Sequence, residues 1–366
     1  MKIEILKDNL IEAAQIIARI GNKHLSLPVL SCAIISAHPE RTVLRGTNLD
    51  VSVEVQLKAK VTEGGVVAVP SYIFNQLIST SFDQKITLES DEHTLVFLGA
   101  HSSSKLNILD ASEFPKLPFV KDGEGVSLTL PAKELVQALK GVSFAASVSG
   151  IRPELASVFL KISDHTLTAA ATDSFRLAEM KLHVKSKDHT DHILIPGRNI
   201  QEIIRMIGGS DTVELRIGEN QVTFLSNGSF VTSRLTDGVF PDYAAIIPKN
   251  FLGSAILLTE DIVKILRRVS VFTDASGQVE MRVSKKGKSV LIKASNASVG
   301  ETAEELDAAI EGDDITLSFN IKYLLDSLSI IASDSVVFKF SGSGKPLIIS
   351  EVPHKGFTYL VMPMNT

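Results

Sequence analysis

Apolar residues recur at helical spacing near the middle of the chain, and shorter apolar runs lie on both sides of them. The helical positions are Ile200, Ile203, Ile204 and Ile207. These residues fall on one face of a helix, and a short apolar run ending at Pro196 precedes them. Two runs that alternate between apolar and polar residues follow. The pattern predicts a strand, a helix and a pair of strands.

This pattern occurs three times, at a spacing of about 125 residues. The three copies cover residues 66–98, 193–225 and 315–349, with Pro70, Pro196 and Asn320 in the same place. Each copy is preceded by another strand and helix, and these helices are predicted over 8–20, 132–142 and 260–271. A period of this length is that of a domain, not of a solenoid unit.

A polar turn lies between the two helices of each repeat, with Asn48, Asp173 or Asn296 at the equivalent position. We expect these side chains to bond their own backbone. The predicted fold is therefore α+β, with three repeated domains that each pack two helices on an antiparallel sheet. Linkers rich in proline and glycine place the predicted domains at 1–121, 122–250 and 251–366.

The composition is that of a folded protein. Of 366 residues, 44% are hydrophobic and 22% are charged, which excludes wholesale disorder. The single cysteine, Cys32, excludes an internal disulfide, so we expect a buried structural thiol in a cytoplasmic protein. The chain opens directly into a strand-like pattern with no predicted signal peptide. No apolar run approaches the roughly 18 residues that span a bilayer.

Basic residues lie opposite the apolar stripes of several predicted helices, although the net charge is −5. These residues are Lys133, Lys140, Arg198, Arg205, Lys264, Arg267 and Arg268. Taken singly, each is an ordinary solvated helix face. Their recurrence in an acidic chain implies that acid is concentrated elsewhere, as it is within 301–314. A positive lining without a base-reading motif predicts binding to duplex DNA without sequence specificity.

No catalytic constellation, metal site or cofactor is predicted. Residues 342–345 end like a phosphate-binding loop, but Pro346 stands where a hydroxyl would hold magnesium, so we expect a turn. A segment with several histidines and aspartates lacks zinc-type spacing and is expected to be a solvated loop. Its residues are His183, Asp188, His189, Asp191 and His192.

Three motifs give the chain a resemblance to the bacterial sliding clamp family, the beta subunits of DNA polymerase III holoenzyme. They are ATDSFRLA at 171–178, DGVFPDY at 237–243 and YLVMPM at 359–364. The resemblance covers the whole chain. It implies a non-catalytic processivity subunit whose head-to-tail homodimer closes six domains into a ring around duplex DNA, with the helices lining the hole.

The resemblance also implies contact residues. The dimer junction would place Lys105 and Leu106 against Val271, Phe272, Glu301, Glu304 and Glu305. Loops that contact DNA would include Lys23, His24 and Arg152.

A further implication is a hydrophobic pocket between the second and third domains. In the family this pocket binds linear peptides of the replicative polymerase, the clamp loader, and repair and translesion factors. Its residues would be Leu155, Thr172, Ser174, Phe175, Arg176, Leu177, Pro241, Ile246, Val361, Met362, Pro363 and Met364. Ser174 and Phe175 replace the usual Gly-His pair, and Ala244 and Ala245 stand where a basic residue is common. We therefore expect a more apolar, less charged pocket.

Two alternatives remain open on the sequence. The same repeats could build a protein interaction scaffold that does not bind DNA, and retention on DNA would separate this from a clamp. An enzyme in its own right would show magnesium-dependent nuclease or polymerase activity, which we do not expect.

Overall fold

The structure is a computed structural model that describes residues 1–21, 27–100, 102–185, 190 and 192–364. The helices are α1 (Lys7–Ile20), α2 (Ser71–Thr80), α3 (Ala132–Ser143), α4 (Ile200–Ile207), α5 (Thr259–Val269) and α6 (Ile321–Leu328). The helix predicted before each of the three copies of the pattern is present, as α1, α3 and α5. The third, α5, ends earlier than predicted because Ser270–Phe272 forms a 3-10 turn.

The described residues form twenty-six strands. In the first third of the chain they are β1 (Lys2–Leu6), β2 (Cys32–Ala37), β3 (Thr42–Thr47), β4 (Val51–Leu57), β5 (Ala59–Glu63), β6 (Gly65–Pro70), β7 (Lys85–Ser90), β8 (Thr94–Leu98) and β9 (Ser103–Asn107). In the central third they are β10 (Val126–Pro131), β11 (Ser157–Ser163), β12 (Thr166–Thr172), β13 (Arg176–His183), β14 (Ile193–Pro196), β15 (Thr212–Ile217), β16 (Gln221–Ser226) and β17 (Ser229–Arg234). In the last third they are β18 (Gly253–Leu258), β19 (Gln278–Ser284), β20 (Ser289–Asn296), β21 (Gly300–Asp307), β22 (Ala309–Gly312), β23 (Ile315–Asn320), β24 (Ser335–Phe340), β25 (Leu347–Val352) and β26 (Phe357–Val361).

The chain divides into two compact units, 1–136 with 198–235 and 137–197 with 236–366. The first unit holds a five-stranded sheet, β5-β1-β7-β8-β9, and an eight-stranded sheet, β10-β15-β16-β17-β4-β3-β2-β6. The second holds a nine-stranded sheet, β14-β11-β12-β13-β26-β25-β24-β18-β22, and a four-stranded sheet, β21-β20-β19-β23.

The α+β class with antiparallel sheets is confirmed, and the pairing adds a feature that the sequence did not predict. Strands from successive thirds of the chain share a sheet. The first and central thirds meet where β4 pairs with β17, and the central and last thirds meet where β13 pairs with β26. Each unit thus contains one such seam, and the candidate peptide surface described below lies at the second.

The apolar stripes of the helices are buried as predicted. All four isoleucines of α4 are buried, and in α5 the buried residues are Ile262, Leu266 and Val269. Because burial fixes one face of each helix, the residues opposite it are held in solvent. The exposed basic side chains therefore follow from the packing of the core.

The polar turns form as expected. The Asn48 side-chain oxygen accepts the backbone N–H groups of Asp50 and Val51, and the Asn296 oxygen accepts that of Ser298. Asp173 makes the equivalent bonds within the candidate peptide surface. The turn predicted over 342–345 is also confirmed, since its ends are joined by a backbone bond.

Cys32 lies on β2 with 1% of its surface exposed. Burial raises the pKa of its thiol to about 11. The folded state therefore binds the thiol proton more tightly than the unfolded state does. The free energy of unfolding is expected to fall as pH rises above the unfolded thiol pKa toward 11. The prediction of a buried structural thiol is confirmed.

We expect native Cys32 to react with iodoacetamide at pH 8 at least about 100-fold more slowly than the urea-unfolded chain, because only the thiolate attacks. Mass spectrometry of timed samples measures both rates, with Cys32→Ser as the unlabelled control. Equal rates in the two states would contradict the burial.

Candidate nucleic-acid and peptide-binding surfaces

The predicted cations of the first unit are exposed, and two of them are paired. Arg198 lies in the 3-10 turn Gly197–Asn199 that precedes α4, not in the helix itself, and its guanidinium contacts Asp50 at 2.9 Å. Arg205, in the last turn of α4, contacts Glu202 at 2.5 Å. Lys133 is exposed near the start of α3. The core packing of each element holds these cations outward.

The cations of the second unit follow the same rule. Lys264 contacts Glu260 at 2.5 Å, one turn earlier on α5. Arg268 contacts Glu304 of β21, its nearer nitrogen–oxygen distance being 3.0 Å.

Three further basic residues of this unit are exposed. Arg152 contacts Glu154 at 2.9 Å, whereas Lys140 and Arg267 form no salt bridge within the described ranges. Lys23 and His24, expected to contact DNA, lie outside the described residues.

These ion pairs do not prevent the cations from binding a phosphate. Exposed ion pairs typically contribute about 0–1 kcal/mol, because water screens the charges and ordering two long side chains costs entropy. In the Lys264–Glu260 pair, the hydrogen bond between the two raises the pKa of the lysine and lowers that of the glutamate. A phosphate oxygen can replace such a carboxylate at little cost.

The candidate peptide surface is built on the turn between β12 and β13. The Thr172 hydroxyl donates to the Arg176 carbonyl at 2.6 Å and accepts the backbone N–H of Ser174. Ser174 has a positive φ of 80°, which gives the turn its reversal. The turn sets the register in which Arg176 faces Val361 of β26.

The same register brings the chain terminus to this turn. The backbone N–H of Met362 donates to the Phe175 carbonyl at 2.9 Å. Met364 donates its backbone N–H to Ser318, also in the second unit. The sequence-predicted residues of the turn and of the last strand are therefore neighbours.

Arg176 lies beneath this surface with 8% of its side chain exposed. Its guanidinium contacts Asp326 at 2.6 Å and Asp173 at 2.9 Å, and lies 4.4 Å from the centre of the Tyr323 ring. It also donates to the Phe144 carbonyl. Burial alone would lower the pKa of Arg176, but the hydrogen bonds with both carboxylates outweigh this effect and raise the pKa. The guanidinium therefore stays positively charged.

The predicted pocket residues divide by exposure. Leu155, Thr172, Leu177 and Val361 are buried, and Pro363 and Met364 are partly buried. Ser174, Phe175, Pro241, Ile246 and Met362 are exposed. The exposed side chains can contact a partner directly, whereas the buried side chains pack beneath them and hold the backbone of the surface in place.

Leu155 makes no backbone hydrogen bond to this turn among the described residues. Its backbone bonds connect it to Arg152 and Ser147, in the segment that follows α3.

Leu177 packs with Ile348 and Leu360, under Tyr243 and Ile247.

Sequence reasoning missed the supporting residues. Asp326, to which the sequence pattern assigns no role, is the closest partner of Arg176. Tyr323 and the Tyr243–Glu179 pair were not singled out. The spacing of Tyr323 and Asp326 on one helix was a usable signal, since residues three apart share a face.

Two sheet edges carry the residues expected at a dimer junction. Within the described residues, β9 has a strand on one side only, and so does β21. On β9, Lys105 is exposed while Leu106 is buried within its own unit.

The β21 edge carries acid. Glu301 and Glu305 are exposed on this strand, whereas Glu304 is paired with Arg268. In the neighbouring 3-10 turn, Val271 is 64% exposed and Phe272 is partly buried.

Among the described residues no group of His, Cys, Asp or Glu has the arrangement of a metal site. The helices of the described ranges are all too short or too polar to cross a membrane. Of the histidine-rich segment, His183 lies in β13, while Asp188, His189 and Asp191 lie outside the described residues.

The geometry is that of a repeated α+β protein with cationic helix faces, in which β9 and β21 are among the edge strands of the described sheets. Three family models of the DNA polymerase III beta subunit match it: the N-terminal domain at residues 1–118, the central domain at 129–242 and the C-terminal domain at 244–365. The beta sliding clamp of Synechocystis sp. is 30% identical over 391 residues, covering 100% of this chain and 99% of the relative. The chain therefore belongs to the DNA polymerase III beta subunit family.

Solved structures share the fold. The DNA polymerase sliding clamp from Bacillus subtilis has a TM-score of 0.91 at 25% identity, covering 100% of this chain and 99% of that one. The sliding clamp from Pseudomonas aeruginosa bound to griselimycin has a TM-score of 0.93 at 24% identity, covering 100% of both.

We expect Arg176→Ala to lower the free energy of unfolding by about 3 kcal/mol, because it leaves two carboxylates without their shared cation. Urea unfolding followed by circular dichroism measures the change. The matched variant Asp326→Asn keeps an acceptor oxygen, and combining the two should cost less than the sum of the single changes. Additive effects would show that the pair is not coupled.

Proposed function

We propose that this protein is a DNA sliding clamp that encircles duplex DNA and confers processivity on the replicative DNA polymerase. The match of three beta-subunit domain models along the chain carries the proposal. The exposed cations on the helix faces support it, because such side chains position phosphates without reading bases. The protein acts by enclosure, without catalysis and without a cofactor.

The ion pairs on the helix faces suit this role. When DNA is present, Arg198 would exchange Asp50 for a phosphate, and Arg268 would exchange Glu304. Each exchange replaces one weak exposed contact by another of similar strength, so no single position holds the DNA. Contacts of this kind permit movement along the duplex. We assign the same DNA-contacting role to Lys133, Lys140, Arg152, Arg205, Lys264 and Arg267, together with Lys23 and His24.

We propose a head-to-tail homodimer in which β9 of one chain pairs with β21 of its partner. An open edge presents unpaired backbone groups, and a closed symmetric assembly covers them. The two edges are complementary in charge, with Lys105 on one and Glu301 and Glu305 on the other.

Exposed apolar residues accompany both edges. Ile73 of α2 is 51% exposed and Phe82, which follows that helix, is fully exposed. A hydrogen bond between Ser102 and Asp83 ties this region to the start of β9. Val271 offers the matching apolar contact beside β21.

We propose that the surface around Phe175, Ile246 and Met362 binds linear peptides of the polymerase, the clamp loader, and repair and translesion factors. The exposed apolar side chains support this, and Met adapts to partners of different shape. No exposed cation lies within residues 171–178 or 240–246, which agrees with an apolar pocket. The related Pseudomonas aeruginosa clamp was crystallised with griselimycin, which provides a probe.

We also propose clamp domains at 1–121, 122–250 and 251–366 and a cytoplasmic location. The alternative is a protein interaction scaffold that does not hold DNA. The pairing of Arg198, Arg205, Lys264 and Arg268 with acids within the chain is the observation that favours it.

We expect the protein, loaded on a nicked circular plasmid, to stay bound through gel filtration and to be released when the circle is cut. Changing Arg198, Arg205, Lys264 and Arg268 together to Ala should make the logarithm of the DNA-binding constant fall less steeply with the logarithm of salt concentration. The change in slope should correspond to the loss of about three to four phosphate contacts. Matched exposed cations for a control are Lys60, Lys85, Lys286 and Lys355.

Equal release from intact and cut circles would reject enclosure. An unchanged salt dependence in the fourfold variant would contradict the assignment of these four residues to DNA contact, and failure of the wild type to stay on intact circles would favour the scaffold.

We expect light scattering to give the mass of two chains. Val271→Asp should yield monomers, with the dissociation constant raised at least about 100-fold, because it places an unpaired charge in an apolar contact. Val148, which is fully exposed and not near either edge strand in the sequence, provides the control Val148→Asp. A monomeric wild type, or a dimeric Val271→Asp variant of unchanged affinity, would contradict the proposed junction.

A further inference from the structure

The segment 237–250 carries two exposed residues of the candidate peptide surface, Pro241 and Ile246. Its single helical turn, Tyr243–Ile246, is a 3-10 turn with no buried residue and no side-chain cap. A segment with so little local structure must be held in place by contacts with residues outside it.

Backbone hydrogen bonds do not supply that anchor. Apart from the bonds of the 3-10 turn, the segment has one backbone bond among the described residues, and it is internal, from Tyr243 to Pro241. The flanking backbone bonds are made by Thr236 and Leu252. The position of the segment therefore depends on its side chains.

Tyr243 makes the one hydrogen bond that links residues 237–250 to another part of the described chain. Its hydroxyl donates to a carboxylate oxygen of Glu179 at 2.8 Å. Glu179 lies on β13 with 7% of its side chain exposed, and its other oxygen contacts Lys181 at 2.9 Å. Burial and the Glu179 carboxylate raise the pKa of Tyr243, so its hydroxyl remains a donor at neutral pH.

The Tyr243 ring joins two apolar clusters. On one side it packs edge-on against Phe240 and Phe159, with ring centres 5.9 and 6.1 Å away. On the other side it packs against Leu177 and Leu360, the buried support of the peptide surface. The Tyr243 side chain thus connects the segment to both strands of the β13–β26 pair, beside Ile247, which packs on the same cluster.

The other seam of the fold uses its buried glutamate differently. Glu54 occupies on β4 the place that Glu179 has on β13, as judged from the matching Asx turns that precede the two strands. Both oxygens of Glu54 are held at 2.6 Å by arginines of its own sheet region, Arg41 and Arg45. Only at the second seam does the buried carboxylate hold a linker.

We propose that the Tyr243–Glu179 hydrogen bond positions the segment 240–247 as one wall of the peptide surface, which makes Tyr243 a positioning residue for partner binding. This inference rests on the proposed peptide-binding role of that surface. Without the bond, Pro241 and Ile246 lose their fixed distance from Phe175 and Met362, and a partner must order the segment as it binds. The cost appears as weaker affinity and faster dissociation.

The test uses Tyr243→Phe in the full-length protein, with Tyr72→Phe as the matched control, because Tyr72 is 67% exposed and its hydroxyl has no partner among the described residues. Griselimycin is the probe, titrated by calorimetry. We expect Tyr243→Phe to weaken binding by roughly 3- to 10-fold, with Tyr72→Phe unchanged. Glu179→Gln retains an acceptor oxygen and should restore most of the affinity that Glu179→Ala loses.

Hydrogen exchange on the free protein separates positioning from general stability. Tyr243→Phe should speed exchange within 240–247 more than it speeds exchange in β13, which reports any general loss of stability. Unaltered exchange and unaltered affinity in Tyr243→Phe would overturn the inference. If the wild type does not bind griselimycin but the variant speeds exchange in this segment, the positioning contact stands and the proposed ligand role of the surface fails.

Discussion

Antiparallel pairing of strands from successive thirds of the chain is the constraint on which the rest of the structure depends. At one seam Val51 faces Ser233, and at the other Arg176 faces Val361. Side chains alternate between the two faces of a strand, so a slip of one residue would move every side chain to the opposite face of the sheet. The Asx turns before β4 and β13 fix the register, because their backbone bonds set where each strand begins. The neighbours Phe175 and Met362 follow from that register.

The two seams share a backbone frame but differ in chemistry. Thr47 and Thr172 bond the same position of their turns, and Leu49 and Ser174 both have positive φ. Arg176, however, is replaced by Val51 in the first seam. A buried guanidinium needs carboxylates and aromatic faces around it, and these come from Asp326 and Tyr323 of α6. Both seams thus share the turn, while the buried guanidinium of Arg176 is found at the second seam, where the candidate peptide surface lies.

The sequence predicted what depends on short range. Ile203 and Ile207 identified a helix face by spacing alone, and Asn48 identified a turn that its own side chain closes. It did not predict the bond from Tyr243 to Glu179 or the bond from Arg176 to Asp326, because each joins residues that only the strand pairing brings together. A lone acid on a helix looks like a solvated residue until its distant partner is located.

The pairing of surface cations also bears on how a clamp can hold DNA. Arg198 and Arg268 meet carboxylates of the same chain, so any phosphate contact that they made would gain only the difference between two exposed ion pairs. Such differences are a fraction of a kcal/mol and fall with salt. A handful of them cannot give a long-lived complex, yet they can keep the duplex centred while it slides. If this chain retains DNA, the retention must therefore come from closure of the protein around the duplex, which would make the edge strands β9 and β21 as important to function as the cations.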